Sequence, residues 1–174
     1  MHILAGQYKS RRIVTLPRLS YRPTQTRIRK SLFDIVGGLD GKAVLDLYAG
    51  SGILGFEAAS RGAEEITFVE NNPDMVRLLY KNRNLFKNTN FSIKKLDAVT
   101  FLHSCGTYDL ILADPPYENF AQNNKIDGKS LVDLCLTKVK LHGQFILEMP
   151  SKIDLTGTRE KIYGGTKLVF WNRT

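Results

Sequence analysis

Only two cysteines, Cys105 and Cys135, occur in the 174 residues, and neither stands in a metal-ligand spacing. That excludes a disulfide framework and fits reduced thiols in a cytoplasmic protein. No apolar run approaches the roughly 18 residues that a membrane-spanning helix requires. The start, Met-His-Ile-Leu-Ala-Gly-Gln-Tyr-Lys-Ser, has no charged stretch followed by an apolar one, so no secretion signal is expected. Repeats, low-complexity tracts and evident inter-domain linkers are missing as well. His2, His103 and His142 lie outside every motif below and are expected to be structural or surface residues. A chain of this length is expected to form about one domain with a sizeable core.

Acid is missing from one end of the chain. Before Asp34 there is no Asp or Glu, whereas Lys9, Arg11, Arg12, Arg18, Arg22, Arg27, Arg29 and Lys30 are all basic. From Asp34 onward the 17 Asp and Glu are matched by equally many Lys and Arg, so the net charge of +8 belongs to the N-terminal fifth. Such segregation predicts a polyanionic partner for that segment.

Residues 1–16 alternate weakly around Gly6 and predict a short β-hairpin or ribbon. Ile28, Leu32, Ile35 and Val36 recur at helical spacing over Gln25–Val36, with Thr24 as N-cap and Gly37-Gly38 as stop. From Gly41 the pattern alternates. Strands are predicted over Ala43–Tyr48, Glu65–Glu70, Phe91–Lys95, Tyr108–Ala113 and Gly143–Met149. Between them, helices are predicted over Ile53–Arg61, Pro73–Phe86, Ala98–Leu102 and Ser130–Lys138, with Asn72 capping the second ahead of Pro73. Arg159–Tyr163 and Thr166–Trp171 flank Gly164-Gly165, a two-residue hairpin signal. The expected fold is α/β: a doubly wound, mostly parallel seven-stranded Rossmann-like sheet ending in an antiparallel hairpin, preceded by a short N-terminal hairpin and helix. Residues 1–36 are expected to be a basic extension and 37–174 the main domain.

Tyr108–Ala113 runs directly into Asp114-Pro115-Pro116-Tyr117. Each proline fixes φ and lacks an N–H, so the chain must turn there. The turn carries a carboxylate, a carbonyl and an aromatic face to the strand's carboxyl end, where open α/β sheets bind ligands. Two acceptors beside a flat ring suit a planar exocyclic amine, such as that of adenine, cytosine or guanine. Val44–Gly52 is a second strand entering a glycine-rich turn. Gly50, Gly52 and Gly55 satisfy G-x-G-x-x-G, with Glu70 twenty residues beyond Gly50, as in a nicotinamide dehydrogenase. Asp46 argues against that reading, because a carboxylate there repels pyrophosphate but can orient an aminoacyl ammonium. Asp97, in Leu96-Asp97-Ala98, is placed to accept from an adenine amino group, and Glu70 from ribose hydroxyls. A cofactor with an ammonium, a ribose and an adenine but no phosphate is S-adenosylmethionine.

Asp46–Gly52, Glu70, Asp97 and Asp114–Tyr117 fall in order as in class I S-adenosylmethionine-dependent methyltransferases. The N-terminal stretches His2–Arg12 and Arg22–Phe33, with Gly50–Ala63, resemble the RsmD family of bacterial guanine-N2 methyltransferases of 16S ribosomal RNA. Two departures are Ser10, where the family usually has Gly, and Lys30, where it often has an acid. The resemblance covers nearly the whole chain. It implies methyl transfer to guanine N2, with Asp114, Pro115 and Tyr117 catalytic. It implies cofactor contacts from Tyr48, Ala49, Gly50, Gly52, Asn71 and Ala98 beside Asp46, Glu70, Asp97 and Asp114, with Thr24 and Arg27 near the methionine end. Lys9, Arg11, Arg12, Arg18 and Arg22 are expected on RNA phosphates, with Tyr117 and Phe120 stacking on the base. The expected partner is 16S ribosomal RNA in an assembled or assembling small subunit, met by a monomer that needs no metal. Rival readings are a DNA adenine-N6 methyltransferase, which usually needs a target-recognition region, and a protein-glutamine methyltransferase, which usually has Asn where Asp114 stands. A third is a non-catalytic RNA-binding module.

Overall fold

The computed structural model describes residues 1–15, 26–87, 89–116 and 128–174. In chain order these form α1 (Thr26–Val36), β1 (Ala43–Leu47), α2 (Ile53–Ser60), β2 (Glu65–Val69), α3 (Pro73–Arg83), β3 (Asn90–Lys94), α4 (Ala98–Ser104), β4 (Tyr108–Ala113), α5 (Gly128–Lys138), β5 (Val139–Pro150), β6 (Arg159–Tyr163) and β7 (Thr166–Asn172). One seven-stranded sheet has the order β3-β2-β1-β4-β5-β7-β6, and only β7 runs antiparallel to its neighbours. The order reverses between β1 and β4, which opens a crevice at their carboxyl ends.

The central strands read as continuous apolar runs because both faces are covered. On one face Val44, Ile66, Phe68, Leu110 and Ile146 pack with Ile28, Leu32 and Phe33 of α1, Phe56 of α2, and Ile3 and Ile13 of the N-terminal segment. On the other, Leu45, Ile111, Phe145 and Leu147 pack with Phe101 and Leu102 of α4 and Leu131 and Cys135 of α5. Both cysteines carry free thiols, and burial pushes both upward in pKa.

Local signals hold where the physics is local. Asn72 Oδ1 accepts from Asp74 N and Met75 N at the start of α3. Gly37 ends α1 at φ +80°, and Gly164 turns the hairpin between β6 and β7 at φ +60°. Gly55 is required by close approach, since a Cβ there would lie 2.3 Å from the Phe68 ring.

Two expectations need correction, while the N-terminal ribbon forms but is short. Residues 1–3 pair antiparallel with residues 10–13 through the His2–Arg12 bridge and the bonds from Ile13 N to Met1 O, Ile3 N to Arg11 O and Ser10 N to Ile3 O. Its tip is an arch of turns laid on α2. Ser10 turns that arch at φ +68°, a left-handed conformation natural to the Gly usual in the family. The strand expected from Gly143 begins at Val139 and shifts register between its Tyr108 and Leu110 pairings. A Cβ on Gly143 would lie 2.7 Å from the Asp109 carbonyl, so the bulged backbone approaches β4 closely. β3 covers Asn90–Lys94, one residue earlier than expected at both ends. The capping role of Thr24 lies outside the described residues.

Candidate active site at the carboxyl end of the sheet

Leu47 is in register with Val69 on one side and with Ala113 on the other. The next residues, Tyr48, Glu70 and Asp114, therefore leave the sheet side by side, with Asp46 one turn of the pleat below. Three carboxylates thus converge on the switch point. Tyr48 has φ +58°, a conformation rarely adopted by bulky residues and often found where function constrains a backbone. Its strain folds the chain back, so Ala49 N donates to Val69 O at 3.1 Å, and Gly50 and Gly52 complete the turn with φ of +53° and +80°.

Glu70 is engaged at both oxygens: Oε2 accepts from Gly50 N at 2.9 Å and Oε1 from Asn72 N at 2.8 Å. Each oxygen keeps lone-pair capacity for a further donor. Asn71 between them is exposed. Asp46 is 1% exposed, and its Oδ2 accepts from Gly55 N at 2.8 Å. Burial pushes its carboxyl well above the ordinary range; the Gly55 bond opposes this, and the Asp114 and Glu70 charges add to the rise. A bound cation relieves that repulsion, whereas a pyrophosphate worsens it. The row of carboxylate acceptors therefore fits a cationic cofactor and disfavours a dinucleotide.

Asp114 is half-buried, Pro115 is buried and Pro116 exposed, so the chain surfaces within three residues of β4. Tyr117 and Phe120 lie outside the described residues, as do Arg18 and Arg22. Asp97 is exposed and caps α4, its Oδ1 accepting from Val99 N and Thr100 N at 3.0 Å each, with Ala98 buried behind it. Burial raises the Tyr48 phenol, and the Asp97 and Cys135 charges push the same way. Arg27 is exposed on α1 with its guanidinium over the Tyr163 ring at 5.9 Å. Lys9, Arg11 and Arg12 are exposed on the arch. Among the described residues no group of three His, Cys, Asp or Glu is placed to hold a metal ion, and no helix is long and apolar enough to cross a membrane.

The charge ledger along the chain misled in one respect. Arg29 is 1% exposed, 3.7 Å from Glu57, and its Nη2 donates to His2 O at 2.7 Å. Lys30 pairs with Asp34 at 2.6 Å. Arg29 is thereby withdrawn from a polyanion, whereas Lys30 stays exposed with only a surface partner. Two further residues escaped sequence reasoning. Glu57, fully buried, accepts from Leu4 N and Ala5 N and pairs with Arg61, so it holds the arch on α2. Asn82 accepts from Val14 N and donates to Val14 O and Ser51 O, tying the arch to the glycine-rich turn. A lone acid in the apolar run Ile53–Ala59, and an Asn in the apolar stripe of Met75, Leu78, Leu79 and Phe86, were the available signals.

The strand order, the carboxylate row and the glycine-rich turn define a class I S-adenosylmethionine-dependent methyltransferase. Within that class, residues 1–172 match the family described as Conserved hypothetical protein 95, and the chain belongs to that family, the one whose RsmD members its N-terminal motifs resemble. It is 30% identical over 183 residues to "Putative rRNA methyltransferase YlbH" of Bacillus subtilis (strain 168), covering 99% of each chain. It is 34% identical over 119 residues to "Ribosomal RNA small subunit methyltransferase D" of Escherichia coli (strain K12), covering 67% of this chain and 60% of that one. The solved structure titled "Putative methyltransferase yhhF from Escherichia coli" superposes with a TM-score of 0.84 at 26% identity, covering 99% of this chain and 97% of the other.

Proposed function

We propose that this protein transfers a methyl group from S-adenosylmethionine to the exocyclic N2 of a guanine in 16S ribosomal RNA. The observation that carries the reading is the convergence of Asp46, Glu70 and Asp114 at the switch point, with Pro115 immediately following. RNA as substrate is supported by the relatives named for ribosomal RNA methylation. The choice of guanine N2 rests on the N-terminal motifs.

When bound, S-adenosylmethionine supplies an electrophilic methyl on a sulfonium. Asp46 faces its ammonium, Glu70 accepts from the ribose hydroxyls and Asp97 from the adenine amino group. Tyr48, Ala49, Gly50, Gly52, Asn71 and Ala98 line the groove, and Thr24 and Arg27 close the methionine end. Asp114 and the Pro115 carbonyl accept hydrogen bonds from the two N–H groups of the target amine. The amine's lone pair is delocalised into the ring; the two acceptors favour the tetrahedral, positively charged transition state over the planar ground state. No strong base is required, because the proton leaves after transfer. Alignment of nitrogen with methyl supplies much of the remaining acceleration. Tyr117 and Phe120 stack on the base swung out of its helix or loop.

Residues 1–36 act as the RNA-facing extension of the 37–174 methyltransferase domain, with Lys9, Arg11, Arg12, Arg18 and Arg22 on phosphates. So small an extension suits an assembled or assembling small subunit in the cytoplasm, met by a monomer. Tritiated methyl transfer onto small subunits from cells lacking this protein, followed by nucleoside analysis, tests the reading. Labelled N2-methylguanosine is expected; labelled N6-methyladenosine refutes it. Asp114→Ala should lower transfer by at least about 100-fold, the scale of losing a transition-state hydrogen-bonding group, with RNA binding retained. Undiminished transfer would remove Asp114 from the catalytic role.

A further inference from the structure

We infer that α3 and the β3 edge, together with the N-terminal arch, form a second RNA-backbone surface beside the active site. This rests on the reading of RNA as substrate and extends its footprint to residues outside the N-terminal segment. Between residues 71 and 96, Arg77, Lys81, Arg83, Lys87, Lys94 and Lys95 stand against Asp74 alone. The charge balance after Asp34 concealed this excess, because the compensating acids sit elsewhere in the fold.

The surface is built rather than merely charged. Arg77, Tyr80 and Lys81 fall three and four residues apart on the exposed side of α3, opposite the buried Met75, Leu78 and Leu79. Asp74 is already paired with Arg77. Among the described residues none of the other five cations along this edge forms an ion pair, whereas Lys30, Lys42, Arg61, Lys140 and Lys167 all do. Tyr80 is 48% exposed, with the Arg83 guanidinium 5.9 Å from its ring centre. An exposed aromatic among cations is a composition suited to nucleic acid, offering charge for phosphates and a plate for a base.

The arch continues the face. Tyr8 donates its hydroxyl hydrogen to Lys87 O and accepts from Lys87 N, and the Arg11 guanidinium lies 4.7 Å from the Tyr8 ring centre. Lys9, Arg11 and Arg12 are thereby joined to the end of α3. At the other end, Lys95 follows Ile93 on the α3 side of the sheet and Lys94 follows Ser92 on the other. The Lys94 carbonyl accepts from Glu70 N, so the cationic edge reaches the cofactor level of the sheet. The nearest further acids are Glu70 beside Lys94, whose two oxygens already accept from Gly50 N and Asn72 N, Glu64 and Glu65 beside Asn90 at the other end of the β2–β3 pair, and Asp97, which caps α4. A polyanion following this edge meets a path of cations leading to the site.

The test compares two triple variants that remove equal charge. One is Lys81→Gln, Arg83→Gln and Lys87→Gln; the other is Lys152→Gln, Arg159→Gln and Lys161→Gln, all exposed and toward the opposite side of the sheet. Binding to small subunits from cells lacking this protein is measured across salt concentrations, with S-adenosylhomocysteine affinity as the check on folding. The α3 variant should bind more weakly, with a log–log salt slope shallower by roughly 2, while its S-adenosylhomocysteine affinity is unchanged. The control should retain the native slope. A native slope in the α3 variant overturns the inference, and so does equal weakening of both variants. Methyl transfer is read separately: wild-type protein that binds subunits without methylating them sinks the proposed activity but not this surface. Should the α3 triple lose S-adenosylhomocysteine binding, Lys94→Gln with Lys95→Gln replaces it under the same two criteria.

Discussion

α2 and α3 follow neighbouring strands and lie on the same side of the sheet, yet they meet opposite environments. Every residue of α2 is buried, including Glu57 and Ser60, because the sheet covers one side and the N-terminal arch the other. α3 buries one stripe and leaves Arg77, Tyr80, Lys81 and Arg83 in solvent. Polar groups therefore act differently on the two helices. On α2 they satisfy backbone donors in a dry interface, where loss of a partner strands a buried charge. On α3 water is the default partner, and a single charge contributes little to stability.

The largest effect should come from Glu57→Ala, which leaves the buried Arg29 without its carboxylate and Leu4 N and Ala5 N without their acceptor. Breaking such a buried pair costs about 3–5 kcal/mol, which urea unfolding would register as a collapse of the midpoint. Next, Asn82→Ala removes the amide that joins Val14 to Ser51, a change of about 1–3 kcal/mol. Since Asn82 faces the buried side of α3, an effect this size would show that burial, not helix identity, governs the contrast.

Asp46→Asn keeps an acceptor for Gly55 N at the start of α2 but removes the buried acid. Because Asp46 is raised in the folded state, the native protein holds its proton longer than the unfolded chain does. Wild-type stability should therefore decline as pH climbs from the unfolded value near 3.9 through the raised folded value, and the variant should lack that decline. Melting temperature against pH checks this. S-adenosylhomocysteine affinity should fall in the same variant if Asp46 faces the ammonium. Smallest of all, Arg77→Ala breaks only an exposed pair with Asp74 and should shift the melting free energy by no more than about 0.5 kcal/mol.

Much of the fold was legible because its signals are short-range. The Asn72 cap, the Gly37 stop, the Gly164 turn and the apolar runs of β1 and β4 each depend on residues within a few positions of one another. The row of Tyr48, Glu70 and Asp114 was legible too, since parallel strands that end in turns bring their carboxyl ends to one edge. Less legible was the partner of each charge. Arg29 lies twenty-eight residues before Glu57 and Lys87 seventy-nine after Tyr8, and no pattern in either neighbourhood announces the contact. The bulged start of β5 was hidden for a similar reason, because His142 at φ +62° departs from any local preference.

By itself, the sequence determined the alternation of strands and helices, the acids at the strand ends and the basic start of the chain, because periodicity, capping and turn chemistry act between near neighbours. Only the tertiary structure decided which acids are dry, which cations are spent in ion pairs and which remain on the α3 face. Desolvation and pairing depend on what the whole fold lays against a side chain, and here that was an arch of fifteen residues closing over α2.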